Sequence, residues 1–288
     1  MKMNILTLTT DAGEKDHYIA SLKGLAFSQI SDLNIIDISH QIKPFDVGEA
    51  ALQLKNCINS FPKGTVHVIG VDDEPKIALS VDDCLYPAIM KYKNQYFVSV
   101  DNGFFGSLIG EESPQEYFIA PDFVKQEDIG TFSTKTVLLP LALKILEGKA
   151  IKTFAKATKT FKKAYSFGVF LEPSVIKGYV VHIDAYGNLI SNITKDQFEK
   201  YNKFESFTIY YRNKEYYIEQ ISSCYNTVPH GEKLALFNSN GYLEIAINRG
   251  ATRLNGGAEQ LFGVRVSDMI RIEFSSPGTH KTIDSLFD

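Results

Sequence analysis

The stretch LTLTTDAGEKDHYIASLKG, residues 6–24, breaks from an apolar, Thr-rich run straight onto Asp11 and Gly13. Leu6 to Thr10 has the content of a buried strand, and Tyr18, Ile19, Leu22 and Leu25 then recur at helical spacing. Asp11 is thereby placed at the carboxyl end of a strand that feeds a helix. In open α/β sheets small ligands bind in that crevice, because loops there carry polar groups over a rigid scaffold. An acid in the same place also serves as a plain helix cap, accepting backbone N–H bonds. The strand-loop-helix pattern alone leaves both roles open.

Outward from this stretch, strand and helix patterns alternate from Asn4 to about Ala150: NIIDIS, a helix from Asp46 to Asn59, GTVHVIGVD and YFVSVDN. That order predicts an α/β domain with a mostly parallel sheet over residues 1–150. Within it, Val47, Ala50, Ala51, Leu54 and Ile58 share one helical face behind Asp46. A further helix, TKTVLLPLALKILEG, carries Pro140 near its start and Gly148 as its C-cap. Residues 151–177 are basic and polar and read as a linker. From 178 to 288 the chain changes character, with KGYVVHIDAYGNLISNI, FTIYYRNKEYYIEQI, EKLALFNSNGYLEIAIN and DMIRIEF separated by turn residues. Such a series predicts an all-β barrel domain.

Composition narrows the function classes. The 288 residues are 44% hydrophobic, enough for two domains with cores of their own. A net charge of −4 and scattered lysines supply no basic stripe, so nucleic acid is not an expected partner. Three distant cysteines, Cys57, Cys84 and Cys224, match neither a disulfide framework nor a zinc spacing, which suits a reducing cytoplasm. No signal-like or membrane-spanning run is expected. The isolated His17, His67 and His182 show no three-ligand metal spacing, and His40 reads first as a structural histidine. The glycines form no phosphate-cradling pattern.

In the second part, Asp184, Tyr186, Gly187 and Asn188 surround a glycine turn, which is an ordinary hairpin or a ligand-facing loop. Phe237 to Glu244 reads equally as a hairpin. Arg249, after Asn248, ends a strand with a guanidinium fork that suits a carboxylate but is commonly just solvated.

Taken in order, TDAG-x-x-D-x-Y, IIDISHQIKPFDVGEAALQL, FPKGTVHVIGVD, YFVSVDNG, GTF, HIDAYGNLISNI and NSNGYLEIAINRGA resemble the S-adenosylmethionine hydroxide adenosyltransferase family, which includes fluorinases and chlorinases. The resemblance runs from about residue 4 to 273. It implies an α/β domain followed by a β-barrel, a homotrimer with ligand sites between subunits, a small-molecule nucleoside substrate, and no cofactor or metal. It also implies displacement at ribose C5′ of S-adenosylmethionine by water, giving adenosine and L-methionine. Under it Asp11 holds the ribose hydroxyls, a task suited to a carboxylate that accepts from both at once. Asp184 meets the methionine ammonium, Asn188 the adenine edge, and Tyr186 and Phe237 the adenine faces. Asn248, Arg249 and the backbone around Ala258 complete the set of binding groups.

The family's water-activating acid falls on Asp72, but its Arg and His are not matched. Lys76 is the nearby base, and Ser133 and Thr134 stand where the His is expected. Three readings follow: a hydrolase using Asp72 with Lys76 or a hydroxyl, a nucleoside-binding protein that has lost catalysis, and a halide-using adenosyltransferase.

Overall fold

A computed structural model of the chain describes residues 4–78, 80, 83–123, 131–163, 168–201, 206–252 and 254–275. The chain divides into two compact units, residues 1–166 and 167–288.

The first unit contains β1 (Asn4–Thr10), α1 (Tyr18–Gln29), β2 (Leu33–Ser39), α2 (Val47–Cys57), β3 (Val66–Gly70), β4 (Pro87–Tyr92), β5 (Gln95–Val100), α3 (Phe104–Ile109), β6 (Glu116–Ile119), α4 (Leu139–Leu146) and β7 (Lys156–Ala157). Its seven strands run in the order β2-β1-β3-β5-β4-β6-β7. The α/β class is as expected, and the sheet is mixed. β2, β1, β3 and β5 are parallel, while β4, β6 and β7 are antiparallel to their neighbours. The change of direction comes from the β4–β5 hairpin, whose Lys93 and Asn94 both take left-handed conformations (φ 51° and 59°). Two such residues make the turn that matches the twist of paired strands.

The helices lie where their sequence signals put them. Asp46 caps α2, its carboxylate accepting from Glu49 N at 2.9 Å. Leu6, Leu8, Val66, Val68 and Val98 pack with Leu138, Leu141 and Ala142 into one core. A second core joins α2 and α3 to Ile69, Met90 and Phe97. The alternation of side chains across each strand feeds both cores. His67 sits inside β3, held by Thr7 Oγ1 at 2.7 Å and Gln95 Oε1 at 2.8 Å. Burial pushes its pKa down to about 4, against the opposing bond to Gln95, so it is a neutral structural histidine.

The second unit contains β8 (Phe170–Glu172), β9 (Val175–Ile183), β10 (Leu189–Thr194), α5 (Lys195–Tyr201), β11 (Ser206–Tyr210), β12 (Tyr217–Ile218), β13 (Lys233–Phe237), β14 (Tyr242–Ile247), α6 (Ala258–Phe262) and β15 (Met269–Ser275). These strands form one antiparallel sheet ordered β12-β11-β15-β9-β10-β14-β13, with β8 on β9. Just beyond β12, Ile221 bridges to Ala235 of β13, which brings the two ends of the sheet together. The result is the barrel-like all-β unit expected, filled by Ile176, Leu189, Ile209, Tyr211, Ile245 and Ile270. The 151–177 stretch contributes strands to both sheets, β7 to the first and β8 to the second. Among the described residues, no helix is long and apolar enough to cross a membrane.

Candidate active site

β1 and β3 are parallel neighbours with Thr10 opposite Gly70, so the residues after each leave the sheet at one edge. Asp11 N reaches Gly70 O at 3.4 Å across that edge. Asp11 is not a helix cap. α1 starts at Tyr18 behind His17, which makes no side-chain cap bond, while Asp11 Oδ2 accepts from Phe45 N at 2.9 Å. Phe45 is left-handed (φ 67°) and 72% exposed, an aromatic ring displayed beside the acid. His40 fastens the same loops. Its Nδ1 is 2.9 Å from Thr10 Oγ1, its Nε2 is 3.1 Å from Asp37, and its carbonyl accepts from Gly13 N at 2.8 Å.

After β3, Asp72 has a left-handed backbone (φ 46°), a conformation few non-glycine residues take without support. The support is Asn102, whose Nδ2 donates to the carbonyls of Val71 at 3.1 Å and Asp72 at 2.8 Å. Asn102 Oδ1 in turn accepts from Phe104 N at the start of α3. The adjoining Asp73 accepts a hydrogen bond from the Thr134 hydroxyl. That approach requires glycine at position 70, where a Cβ would stand 2.1 Å from Thr134 Oγ1. Thr134 begins a π-helical turn, Thr134–Leu138, that continues into α4 with Pro140 near its start. Such turns concentrate at functional sites.

The charge of Asp11 acts on both Asp72 and Asp73. The Asp72 carboxyl is pushed above the ordinary carboxylate range by partial burial, then by the charges of Asp11 and Glu74. Burial likewise raises Asp73, opposed by its bonds to Thr134 and reinforced by Asp11. Carboxylates with raised pKa values clustered at one edge suit proton acceptance. Ser133 is buried next to Thr134. Lys76 is exposed, and its backbone forms an isolated bridge with Leu85. Among the described residues no ion pair joins Lys76 to Asp72 or Asp73.

In the second unit the Asp184 turn is held from three sides. Asp184 Oδ1 accepts from Tyr186 N and Asn188 N, both at 2.9 Å, and Oδ2 from Asn188 Nδ2 at 3.0 Å. Thr252 and Glu259 grip the same turn. Thr252 N donates to Tyr186 O at 3.2 Å and Glu259 N to Gly187 O at 2.9 Å. Asn188 is thus buried and Tyr186 is exposed, its ring free to meet a flat ligand. Ala258 is buried at the start of α6, beside Gly257. Phe237 packs on Phe198 at 5.4 Å. Asn248 spends its side-chain amide on Val228 O at 2.7 Å. Arg249 is exposed and left-handed (φ 57°), its carbonyl accepting from Asn255 Nδ2 at 3.0 Å.

The structure therefore brings together Asp11, Asp72 and Thr134 in one unit, and Asp184, Tyr186, Asn188 and Ala258 in the other. Three residues of these surroundings escape the sequence reading as site groups: Phe45, Asn102 as the clamp on Asp72, and Glu244, a buried acid near Asp184. Phe45 and Asn102 sit in short loop strings, KPFD and DNG, whose turn chemistry is visible but whose partners are not. Glu244 carries a signal, an acid among the apolar residues of YLEIAI.

Residues 6–155 match the family model described as the SAM hydroxide adenosyltransferase N-terminal domain, and residues 178–271 match its C-terminal domain. An (R)-S-adenosyl-L-methionine hydrolase from Methanocaldococcus jannaschii is 29% identical over 283 residues, 94% of this chain and 96% of that protein. A fluorinase from Nocardia brasiliensis is 39% identical over 62 residues only, 22% of this chain and 21% of its own. The crystal structure of an uncharacterized conserved protein from Thermotoga maritima superposes with a TM-score of 0.80 at 27% identity, covering 93% of this chain and 99% of that one.

Proposed function

As the chain belongs to the SAM hydroxide adenosyltransferase family, we propose that it hydrolyses S-adenosyl-L-methionine to adenosine and L-methionine. The observation that carries this reading is Asp72, held left-handed by Asn102 and raised in pKa beside Asp11, at an edge where a water could be deprotonated. In the proposed reaction a water oxygen attacks ribose C5′ opposite the sulfur, and the C5′–S bond breaks. The bonding pair leaves on sulfur, so the sulfonium departs as a neutral thioether, and Asp72 takes the water proton. The leaving group is intrinsically good, so the protein's task is to align and desolvate the nucleophile. Asp11 is assigned to the ribose hydroxyls, Asp184 to the methionine ammonium, and Tyr186 and Asn188 to the adenine. Phe237, Asn248, Arg249 and the Ala258 backbone are carried with these from the family pattern. Lys76 and Ser133 remain as helpers in the proposal.

Water is favoured over halide by the electrostatics of the first unit. The Thr134 proton is already committed to Asp73, and the carboxylates at 11, 72 and 73 repel an incoming anion. The homotrimer and a cytoplasmic location belong to this proposal as well.

Incubation of the purified protein with S-adenosylmethionine, first without halide and then with chloride, tests the reaction by chromatography of adenosine, 5′-halo-adenosine and methionine. Adenosine and methionine in equal amounts are expected in both. Tight binding without product would instead make the chain a nucleoside-binding protein, and a 5′-halo-adenosine would make halide the nucleophile. Asp11→Ala is expected to weaken adenosine binding by about 1.5–3 kcal/mol, the range for hydrogen bonds to a charged group. Calorimetric titration of a folded variant with unchanged affinity would remove Asp11 from the ribose site.

A further inference from the structure

We infer that Glu244 and Tyr225 form a positioning pair that makes the Asp184 turn selective for a substrate with a cationic α-amino group. This inference rests on the reading above that Asp184 of this turn receives the methionine ammonium.

Glu244 lies in the middle of the barrel, on β14, opposite Ile190 of β10 and Leu236 of β13. Side chains alternate along the strand, so Leu243, Ile245 and Ile247 enter the barrel core while Glu244 and Ala246 share the other face. That face is closed as well, and Glu244 is only 3% exposed among Leu234, Leu236 and Ala246. An apolar residue would fill the position at lower cost, because a buried carboxylate must recover its lost hydration.

Part of that recovery comes from Tyr225, whose hydroxyl donates to Glu244 Oε1 at 2.5 Å, with the Asn238 side chain as a further partner. Tyr225 is thereby held by its hydroxyl while the residue stays 41% exposed. Glu244 lies opposite Ile190, two residues past the Asn188 end of the Asp184 turn, so the hydroxyl it holds puts Tyr225 beside that turn, and the Asp184 charge acts on Tyr225. Glu244 is raised in pKa by burial above all and also by Asp184, so the two acids are within electrostatic reach. The titratable groups facing Glu244 are thus Tyr225 and Asp184.

Among the described residues, no lysine, arginine or histidine forms an ion pair with Asp184 or Glu244. The Asp184 carboxylate is occupied by three N–H donors that carry no net charge, and Glu244 by a phenol. Two carboxylates with neutral partners leave a field that favours a cation arriving at the turn. The α-ammonium of an amino acid is such a cation. Tyr225, anchored by Glu244, forms the wall beside it.

The test compares S-adenosylmethionine with the analogue whose α-amino group is replaced by hydrogen, using KM or Kd for each. The full chain is measured as wild type, Glu244→Gln and Tyr225→Phe. Glutamine keeps an acceptor for Tyr225 and loses the charge, whereas phenylalanine keeps the charge and frees the ring. Wild type is expected to prefer S-adenosylmethionine, and Glu244→Gln to reduce that preference by about tenfold, with adenosine affinity within about twofold of wild type. Tyr225→Phe is expected to reduce the preference in the same direction, and Glu244→Asp to restore part of it. A purely structural role would lower stability without moving the preference. Unchanged preference in folded Glu244→Gln and Tyr225→Phe overturns the inference while leaving the hydrolase reading intact. Should Glu244→Gln not fold, Tyr225→Phe decides alone. A wild-type protein that neither binds nor hydrolyses S-adenosylmethionine overturns both.

Discussion

Asp72→Asn is expected to lower hydrolysis of S-adenosylmethionine by at least about a hundredfold, the smaller end of what a general base contributes, while leaving the protein folded. Asparagine is isosteric and tolerates the left-handed backbone that position 72 adopts, so the Asn102 clamp on the Val71 and Asp72 carbonyls has no reason to release. What disappears is the proton acceptor. The stability change should run the opposite way from the activity change. In the folded protein the Asp72 carboxyl is raised by desolvation and by Asp11 and Glu74, so its ionisation works against the fold as pH rises through the normal carboxylate range and up to the raised value. Removing that charge leaves the unfolding midpoint at neutral pH unchanged or higher, the usual relation between a strained functional group and stability. The same shift sets the pH dependence. A base acts only when deprotonated, so wild-type kcat/KM rises with pH through a pKa above the ordinary aspartate value, and this limb vanishes from the residual rate of the variant. Product formation and thermal unfolding, each followed across pH, check the three statements together. Wild-type turnover in Asp72→Asn would exclude Asp72 as the base and move the search to Asp73.

Asp11 shows how much of the candidate site is legible in the sequence. Its place at the end of the first strand follows from apolar text that stops at an acid and a glycine. That it does not cap α1 does not follow, because its carboxylate accepts from Phe45 N, 34 residues away in sequence. Asn102 illustrates the same limit. DNG follows the β5 strand directly, yet the Asn102 amide reaches back 31 and 30 residues to fix Asp72. Periodicity carries the sheet and helix content, so α2 with its Asp46 cap and α4 before Gly148 are readable. The β4–β5 hairpin is not, because Lys93-Asn94 lacks the glycine that usually marks a turn with two left-handed residues. That hairpin sets β4 against β5, and β6 and β7 then join antiparallel through other connections. In the barrel, the DAYGN turn is readable as a turn, while its partners, Thr252 and Glu259, are found only in three dimensions.

That pairing makes Gly257→Ala the other large effect expected, a loss of about 3 kcal/mol of stability, from overpacking and from hydrogen bonds broken at the turn. The backbone at 257 is extended and not left-handed (φ −88°, ψ −179°), so alanine is conformationally acceptable and the cost is purely one of space. A Cβ there would stand 2.3 Å from Tyr186 O and 2.7 Å from Gly187 Cα. Both are backbone atoms, and neither can rotate aside as a side chain does. To reach ordinary contact the Tyr186 carbonyl must retreat by roughly 1 Å, a distance at which packing and hydrogen bonding are both lost. It is the acceptor for Thr252 N, and Gly187 O beside it is the acceptor for Glu259 N, so the movement unfastens the turn from its support. Asp184, Tyr186 and Asn188 move with it, and S-adenosylmethionine affinity should fall together with stability. Gly24→Ala supplies the contrast. That glycine is exposed inside α1 with nothing within 4 Å of a Cβ. Alanine there should stabilise the chain by about 0.5–1 kcal/mol through helix propensity alone. Thermal unfolding of both variants with calorimetric titration of S-adenosylmethionine reads the two effects. A Gly257→Ala protein with wild-type stability and affinity would mean that Thr252 and Glu259 yield to the methyl group, and that the three N–H bonds to Asp184 suffice to hold the turn.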